Sequence, residues 1–209
     1  MSGGGKMKKI SLAVASSLAL FGLSGQSYAD AKSGVVLGGQ IGYAKANADL
    51  NNWQADANSG NLFYGATLGF DLAVMDSLAL GVESGVFYGR SLSKYDQTGG
   101  GDYKVSNLIV PVLGKIMFVT PIGINLFAKG GISYVNPSAQ KSGSTVSIDW
   151  KSSWNFTAAG GVGYQLGPIN IFAQYMHIFG KNDVSVNGTQ GTGYQAKIDA
   201  VTAGVDFTF

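Results

Sequence analysis

The sequence has no cysteine, which excludes a disulfide framework and any thiolate-bound metal. Histidine occurs once, at His177. Zinc sets built from His and Cys are therefore out of reach, and no Asp-rich EF-hand loop takes their place. No metal and no other cofactor is expected. Charged residues make up 12% of the chain, about half of the roughly 25% usual in soluble domains. Beyond residue 30 there is no long apolar run, so a helical membrane span is excluded there. No stretch in that region has the 3.6-residue period of an amphipathic helix. Gly161-x-Gly163-x-x-x-Gly167 misses the dinucleotide spacing and is not followed by a helix, so no phosphate loop is indicated. What is abundant is glycine, 32 of 209 residues. Little charge, much glycine and no long apolar segment point to an unusual solvent.

The N-terminus has a pattern of its own. Lys6, Lys8 and Lys9 precede a short apolar segment over residues 10–23, and Ser27-Tyr28-Ala29 places small residues at the two positions that matter for cleavage. The apolar segment falls short of the roughly 20 residues of a transmembrane helix. Residues 1–29 are expected to be a Sec-type signal peptide cut before Asp30, with translation starting at Met1 or Met7. Residues 30–209 are then one domain. Losing three lysines takes 14 basic residues to 11 against 12 acidic ones, a net −1. No basic stripe remains to release counterions from nucleic acid, so nucleic acid is not an expected partner.

The mature region reads as eight strands, each with one apolar and one small or polar face. The last ten residues, AVTAGVDFTF, set Val201, Ala203, Val205, Phe207 and Phe209 against Ala200, Thr202, Gly204, Asp206 and Thr208. The same alternation places Val35, Leu37, Ile41 and Tyr43 opposite Val36, Gln40 and Gly42, and Leu62, Tyr64, Leu68 and Phe70 opposite Gly65, Thr67 and Asp71. In the third strand Val82 and Val86 oppose Glu83 and Gly85, while Ser84 falls on the apolar side. The fourth is apolar on both faces around residues 109–113; Val110, Val112 and Ile116 are placed outward, and Asn107, Pro111 and Lys115 inward. Pro111 cannot donate to a ladder and is expected to mark a bulge. Ile124, Leu126 and Ile132 oppose Asn125, Lys129 and Ser133; Trp154, Phe156 and Val162 oppose Asn155, Thr157 and Gln165; Ile169, Ile171 and Tyr175 oppose Asn170, Gln174 and Met176.

The connections alternate too. Short links at residues 75–77, 120–123 and 167–168 separate long polar segments at about 45–60, 91–102, 136–147 and 180–193. This is the layout of an outer-membrane barrel, with about ten residues per strand crossing an apolar band about 25 Å tall. The expected fold is all-β: an eight-stranded antiparallel up-and-down transmembrane β-barrel with short periplasmic turns and long extracellular loops. Tyr43, Tyr64, Tyr88, Trp154 and Tyr164, toward strand ends, suit interfacial girdles.

The strand count, the FTF terminus and GVGYQLGPINIFAQYMHIFG (strand, two-residue turn, strand) resemble the small eight-stranded outer-membrane proteins. These are the Opa/OmpX-like, "porin family" group, related in form to the OmpA membrane domain. The resemblance implies a monomer in the bacterial outer membrane, surrounded by outer-membrane lipid and lipopolysaccharide. It also implies a C-terminal aromatic, here Phe209, read by the barrel-assembly machinery. Lipid A deacylases and palmitoyltransferases are eight-stranded as well, but MHIFGKND around His177 lacks the His-x-Ser pattern of the deacylases. No catalytic residue is expected.

An eight-stranded barrel has an interior barely wide enough for its own side chains. Asp71, Glu83 and Asp206 against Lys115 and Lys129 are expected to pair inside and plug it. The rival reading makes them a polar path and the protein a small-conductance porin. A second rival, a secreted lipocalin-like barrel, requires the apolar faces to point inward. Otherwise function falls to the loops, where Trp53 is a candidate contact for a host or surface ligand. The expected role is non-enzymatic: structural, or surface interaction through the extracellular loops.

Overall fold

The computed structural model describes residues 30–48, 60–96, 102–141, 148–150, 152–180, 182–186, 189–194 and 196–209. Residues 1–29 and Trp53 lie outside them. The described residues form strands, turns and short irregular links, with no helix among them. Eight strands close into a barrel: β1 (Gly34–Ala48), β2 (Asn61–Met75), β3 (Leu78–Asp96), β4 (Asp102–Val119), β5 (Ile124–Lys141), β7 (Ser153–Leu166), β8 (Ile169–Phe179) and β11 (Ala196–Thr208). Every neighbouring pair is antiparallel, and β1 closes on β11. Three short strands, β6 (Ile148–Trp150), β9 (Asn182–Val186) and β10 (Thr189–Tyr194), form a separate sheet in the order β10-β9-β6.

Sidedness follows the alternation. Ile41, Leu68 and Val201 point out and remain 57, 58 and 60% exposed, whereas Phe63 and Phe87 point in and are buried. A band of exposed Leu, Val, Ile and Phe thus encircles the barrel, far beyond the few-hundred-Å² apolar patch of a soluble monomer. The lipocalin-like arrangement is excluded, because the large aliphatic side chains face outward. Such a wall requires hydrocarbon around it, and in hydrocarbon a sheet has to close on itself to satisfy its backbone.

Closure sets the stagger. Cross-strand partners run from Lys45 through Asp199, His177, Ala158, Gly130, Gly114, Val82 and Phe70 and return to β1 at Val35, ten residues below the start. In an eight-stranded barrel a stagger of this size goes with strands tilted by about 40°.

The short links all lie at one end. Gly123 and Gly167 have positive φ of 88° and 61°, which glycine adopts without steric cost. The Thr120 amide donates to Ile124 O (2.8 Å), and Gln165 Nε2 donates to Gly167 O (2.7 Å). Ala31 tucks beneath this end, donating its amide to Asp76 O at 2.7 Å.

Two expectations are corrected. Pro111 does not mark a bulge: β3–β4 pairing holds one register from Ser84↔Val112 to Phe87↔Ile109, with only the rungs between them missing. Ser84, which alternation left oddly on the apolar face, donates its hydroxyl to Pro111 O at 2.9 Å. It serves a carbonyl beside the interrupted rungs. The actual register shift in this pair lies between Gly89 and Ser93. The long polar segments are also not all loop. β3 continues to Asp96 and β5 to Lys141, β9 and β10 fall in the segment expected at about 180–193, and β6 directly follows the one expected at 136–147.

Inward glycines make room and outward ones do not. A Cβ on Gly42 would lie 2.0 Å from Val201 O and 2.6 Å from Thr202 Cα, whereas one on outward Gly130 meets nothing within 4 Å. Gly42→Ala is expected to cost about 1–3 kcal/mol, and Gly130→Ala to leave stability unchanged. Urea unfolding of the barrel in lipid vesicles, followed by the loss of its heat-modifiable gel mobility, measures both.

Candidate functional site

Three layers fill the lumen. Toward the loop end Phe63 and Phe87 stack at 5.4 Å, with Ile109, Val135, Met176, Ile178 and Ile198 around them. Toward the turn end Ala31, Ala79, Met117, Val119, Phe127 and Phe172 form a second apolar cluster. Between the two lies a polar layer.

The five lumen candidates all belong to that layer, and all are buried. Lys115 Nζ donates to Asp71 Oδ2 at 2.6 Å, and Lys129 Nζ donates to both carboxylate oxygens of Glu83 at 2.8 Å. Lys129 also lies 5.1 Å from the Phe127 ring centre and 5.5 Å from that of Phe172, adding cation–π attraction to its ion pair. Asp206 is buried beside these pairs, and neither its Oδ1 nor Asp71 Oδ1 has a hydrogen-bond partner among the described residues. Sequence alternation identified the signs and the inward face; it did not identify which cation meets which carboxylate.

Alternation also left the neutral bonds of the lumen unassigned. Gln40 Oε1 accepts from Gln174 Nε2 (2.7 Å) and Thr202 Oγ1 (2.6 Å), joining β1, β8 and β11 across the seam. Ser133 and Thr157 hydroxyls share a 2.6 Å bond, and Asn125 Nδ2 donates to Asn170 Oδ1 at 2.7 Å. Small neighbours seat these groups. A Cβ at Gly81 would strike Asp71 Oδ1, one at Gly38 would strike Asp206 Oδ1, and one at Gly163 would strike both Asn125 and Asn170.

The arrangement can cross-brace strands far apart in sequence. Apolar side chains stand on both sides of the charged pairs, and buried polar ones continue beside them, Thr157 loop-ward of Ala159 and Asn125 and Asn170 turn-ward of Phe127 and Phe172. The described residues include no group of three or more His, Asp or Glu side chains suited to hold a metal ion.

Sequence reading missed a second polar group, on the outer wall near the loop end. His177 Nδ1 lies 2.6 Å from Asp199 Oδ1, and the same oxygen accepts the Tyr175 hydroxyl. The signal was present in the strand phase: Tyr175, His177 and Asp199 all share the parity of lipid-facing residues. Beside His177 on this wall stand Ala158, Asp199, Tyr175 and Phe179, the last with its ring centre 4.3 Å away. None of the four supplies a serine, threonine or cysteine nucleophile for a Ser–His or Cys–His mechanism.

Phe209 sits at the turn end of the β1–β11 seam. Its amide donates to Val35 O at 2.9 Å, and its ring packs 4.6 Å from that of Phe207, exposed on the outer wall. At the opposite end Tyr64–Tyr88 and Tyr134–Trp154 make outward aromatic pairs, the rim belt expected at a lipid–water boundary.

No family model matches the sequence, and no curated protein matches it. Solved structures do match. The outer membrane protein OprG from Pseudomonas aeruginosa is 13% identical with a TM-score of 0.57, and the match covers 88% of this chain and 99% of that one. Neisserial surface protein A is 17% identical with a TM-score of 0.53, covering 85% of this chain and 98% of that one. At these identities the likeness shows the fold, which is that of the small eight-stranded outer-membrane β-barrels.

Removing one partner of a buried ion pair strands the other charge, at about 3–5 kcal/mol. Lys129→Met is expected to lower barrel stability by about that much, and adding Glu83→Leu to restore most of the loss. Urea midpoints of the single and double variants in vesicles provide the comparison.

Proposed function

We propose that this chain is a non-enzymatic protein of the bacterial outer membrane that meets the surroundings through its extracellular parts, with the barrel as a sealed, rigid anchor. The observation carrying this reading is the continuation of three strands past the rim. Among the described residues β3 has no β2 partner beyond Gly89, and β5 has no β7 partner beyond Val135. Both nevertheless pair with β4, out to Asp96↔Asp102 and Tyr103↔Lys141. At about 3.3 Å per residue this tongue extends the β3–β4–β5 sheet by about 20 Å. Backbone pairing fixes such a surface in place, which lowers the ordering cost of binding to it. The three-stranded sheet of β6, β9 and β10 supports the same reading, since it too is built from loop-end connections.

In this reading residues 1–29 export the chain, and lipopolysaccharide surrounds a monomeric barrel. Exposed Phe209, at the seam, is the aromatic that the assembly machinery reads. Lumen residues Asp71, Glu83, Lys115, Lys129 and Asp206 brace the barrel, and the ligand of the tongue is a molecule or cell surface outside.

Two experiments test the proposal. In planar bilayers the inserted protein is expected to pass no current; reproducible steps altered by Lys115→Ala would make the lumen the working part and overturn it. Replacing residues 91–104 by a two-residue Asn-Gly turn is expected to leave the barrel folded and to cut adhesion of expressing bacteria to cultured epithelial cells several-fold. Unchanged adhesion would remove the tongue from the proposal.

A further inference from the structure

The barrel's outer wall is apolar except in one sector. Among the described residues its charged or imidazole side chains are Lys45, Arg90, His177, Lys197 and Asp199. Four of the five lie on the adjacent strands β1, β11 and β8. Lys45, Asp199 and His177 form one cross-strand row. Lys197 stands two residues beyond Asp199 toward the loop end, and Tyr175 two residues before His177. A carboxylate on a lipid-facing wall is costly unless it has partners and lies near the interface. Here Asp199 accepts from both Tyr175 and His177 Nδ1. That bond turns the other imidazole nitrogen, Nε2, away from Asp199. Lys45 and Lys197 against Asp199 leave the sector positive before His177 is counted, so its electrostatic complement is an anion.

The wall beside this cluster is unlike the rest. His177 pairs with Ala158 and Tyr175 with Gly160. The neighbours of those two residues on β5 are Gly130 and Ala128, and Gly114 follows on β4. This trough crosses three strand spacings, about 14 Å at ~4.8 Å each, between bulky neighbours such as Phe156 and Val162. It descends from the cluster toward the turn end, because the row of partners falls ten residues in one circuit. Inward glycines seat large side chains; these outward ones do not, since a Cβ on Gly114, Gly130 or Gly160 would come no closer than 3.6 Å to any atom.

We propose that this sector binds a phosphorylated lipid of the surrounding leaflet, its phosphate at Lys45, Lys197 and His177 and an acyl chain along the Ala158–Gly130–Gly114 trough. The charge cluster identifies the head group and the trough gives the chain its path. Asp199, itself held by the Tyr175 hydroxyl, is a positioning residue that turns the imidazole toward the phosphate. The site is independent of the tongue, so either can fail without the other.

His177, the single histidine, gives one unambiguous imidazole signal. The experiment records its ¹H–¹³C resonance in tag-free protein refolded into dodecylphosphocholine micelles, titrated with diphosphoryl lipid A. A saturable shift is expected, with at least tenfold weaker response to fully dephosphorylated lipid A of the same acylation. Lys45→Ala and Lys197→Ala, exchanges on the exposed wall, are each expected to weaken binding by about fivefold, the effect of one basic residue near an anionic head group. Gly130→Leu should weaken it by filling the trough, and Arg90→Ala, on β3 two strands from Lys45 and outside the cluster, should leave it unchanged. An equal response to dephosphorylated lipid A, or equal loss from Arg90→Ala and Lys45→Ala, would mean unspecific surrounding lipid and overturn the proposal. Inorganic phosphate alone giving the same saturable shift would overturn the assignment to a lipid.

Discussion

A backbone amide in hydrocarbon has no water to turn to. Each unmade hydrogen bond costs several kcal/mol, and much of this architecture answers to that penalty. It forces the sheet to close, pairs β1 with β11 over thirteen positions from Val36 to Ala48, and carries the seam down to the Phe209 amide on Val35 O. Even the interrupted rungs are repaired locally. At Pro111, which has no amide hydrogen, Ser84 supplies a hydroxyl to the proline carbonyl, and the register runs on undisturbed.

Closing with only eight strands makes the second constraint, a lumen with little space. Large inward side chains fit only where a neighbouring strand recedes. Phe87 therefore lies over Gly65, Phe127 over Gly161 and Phe172 over Gly204. The same device accommodates charge: Gly81 leaves room for Asp71, and Gly38 for Asp206. Desolvated so thoroughly, the lysines meet carboxylates at 2.6 and 2.8 Å rather than facing a channel. A buried pair of this kind contributes little net stability over a hydrophobic pair. It does tie β2 to β4 and β3 to β5, two strands apart, and so favours one arrangement of the barrel. In the proposed function the interior serves packing, and recognition falls to the barrel's ends and its outer wall.

Those two surfaces meet different phases. The tongue of β3, β4 and β5 extends beyond the rim, where backbone pairing rather than lipid gives it form. The Tyr175–His177–Asp199 cluster lies toward the loop end of the wall, with the outward pairs Tyr64–Tyr88 and Tyr134–Trp154 elsewhere around the rim. On a wall otherwise built from aliphatic side chains, polar groups are tolerable only near the lipid–water boundary, where water and head groups still reach them.

Alternation along the chain determined the strand number, the inward and outward faces, the short turns at one end and the polarity of the lumen. It could do so because the face a side chain takes is a local property of its own strand, with a period of two. Even the outward placement of Ser84 and the two-faced apolarity near Ile109 were legible, the latter because Ile109 and Leu113 are inward core residues. The tongue was not legible: residues 91–96 and 136–141 have no apolar face to alternate, since outside lipid a paired strand needs none. Nor were the partners. Lys115 meets Asp71 across 44 residues, Lys129 meets Glu83 across 46, and His177 meets Asp199 across 22. These meetings depend on register and on the ten-residue stagger that closure imposes. Register and stagger belong to the closed sheet as a whole, so the tertiary structure alone decides them.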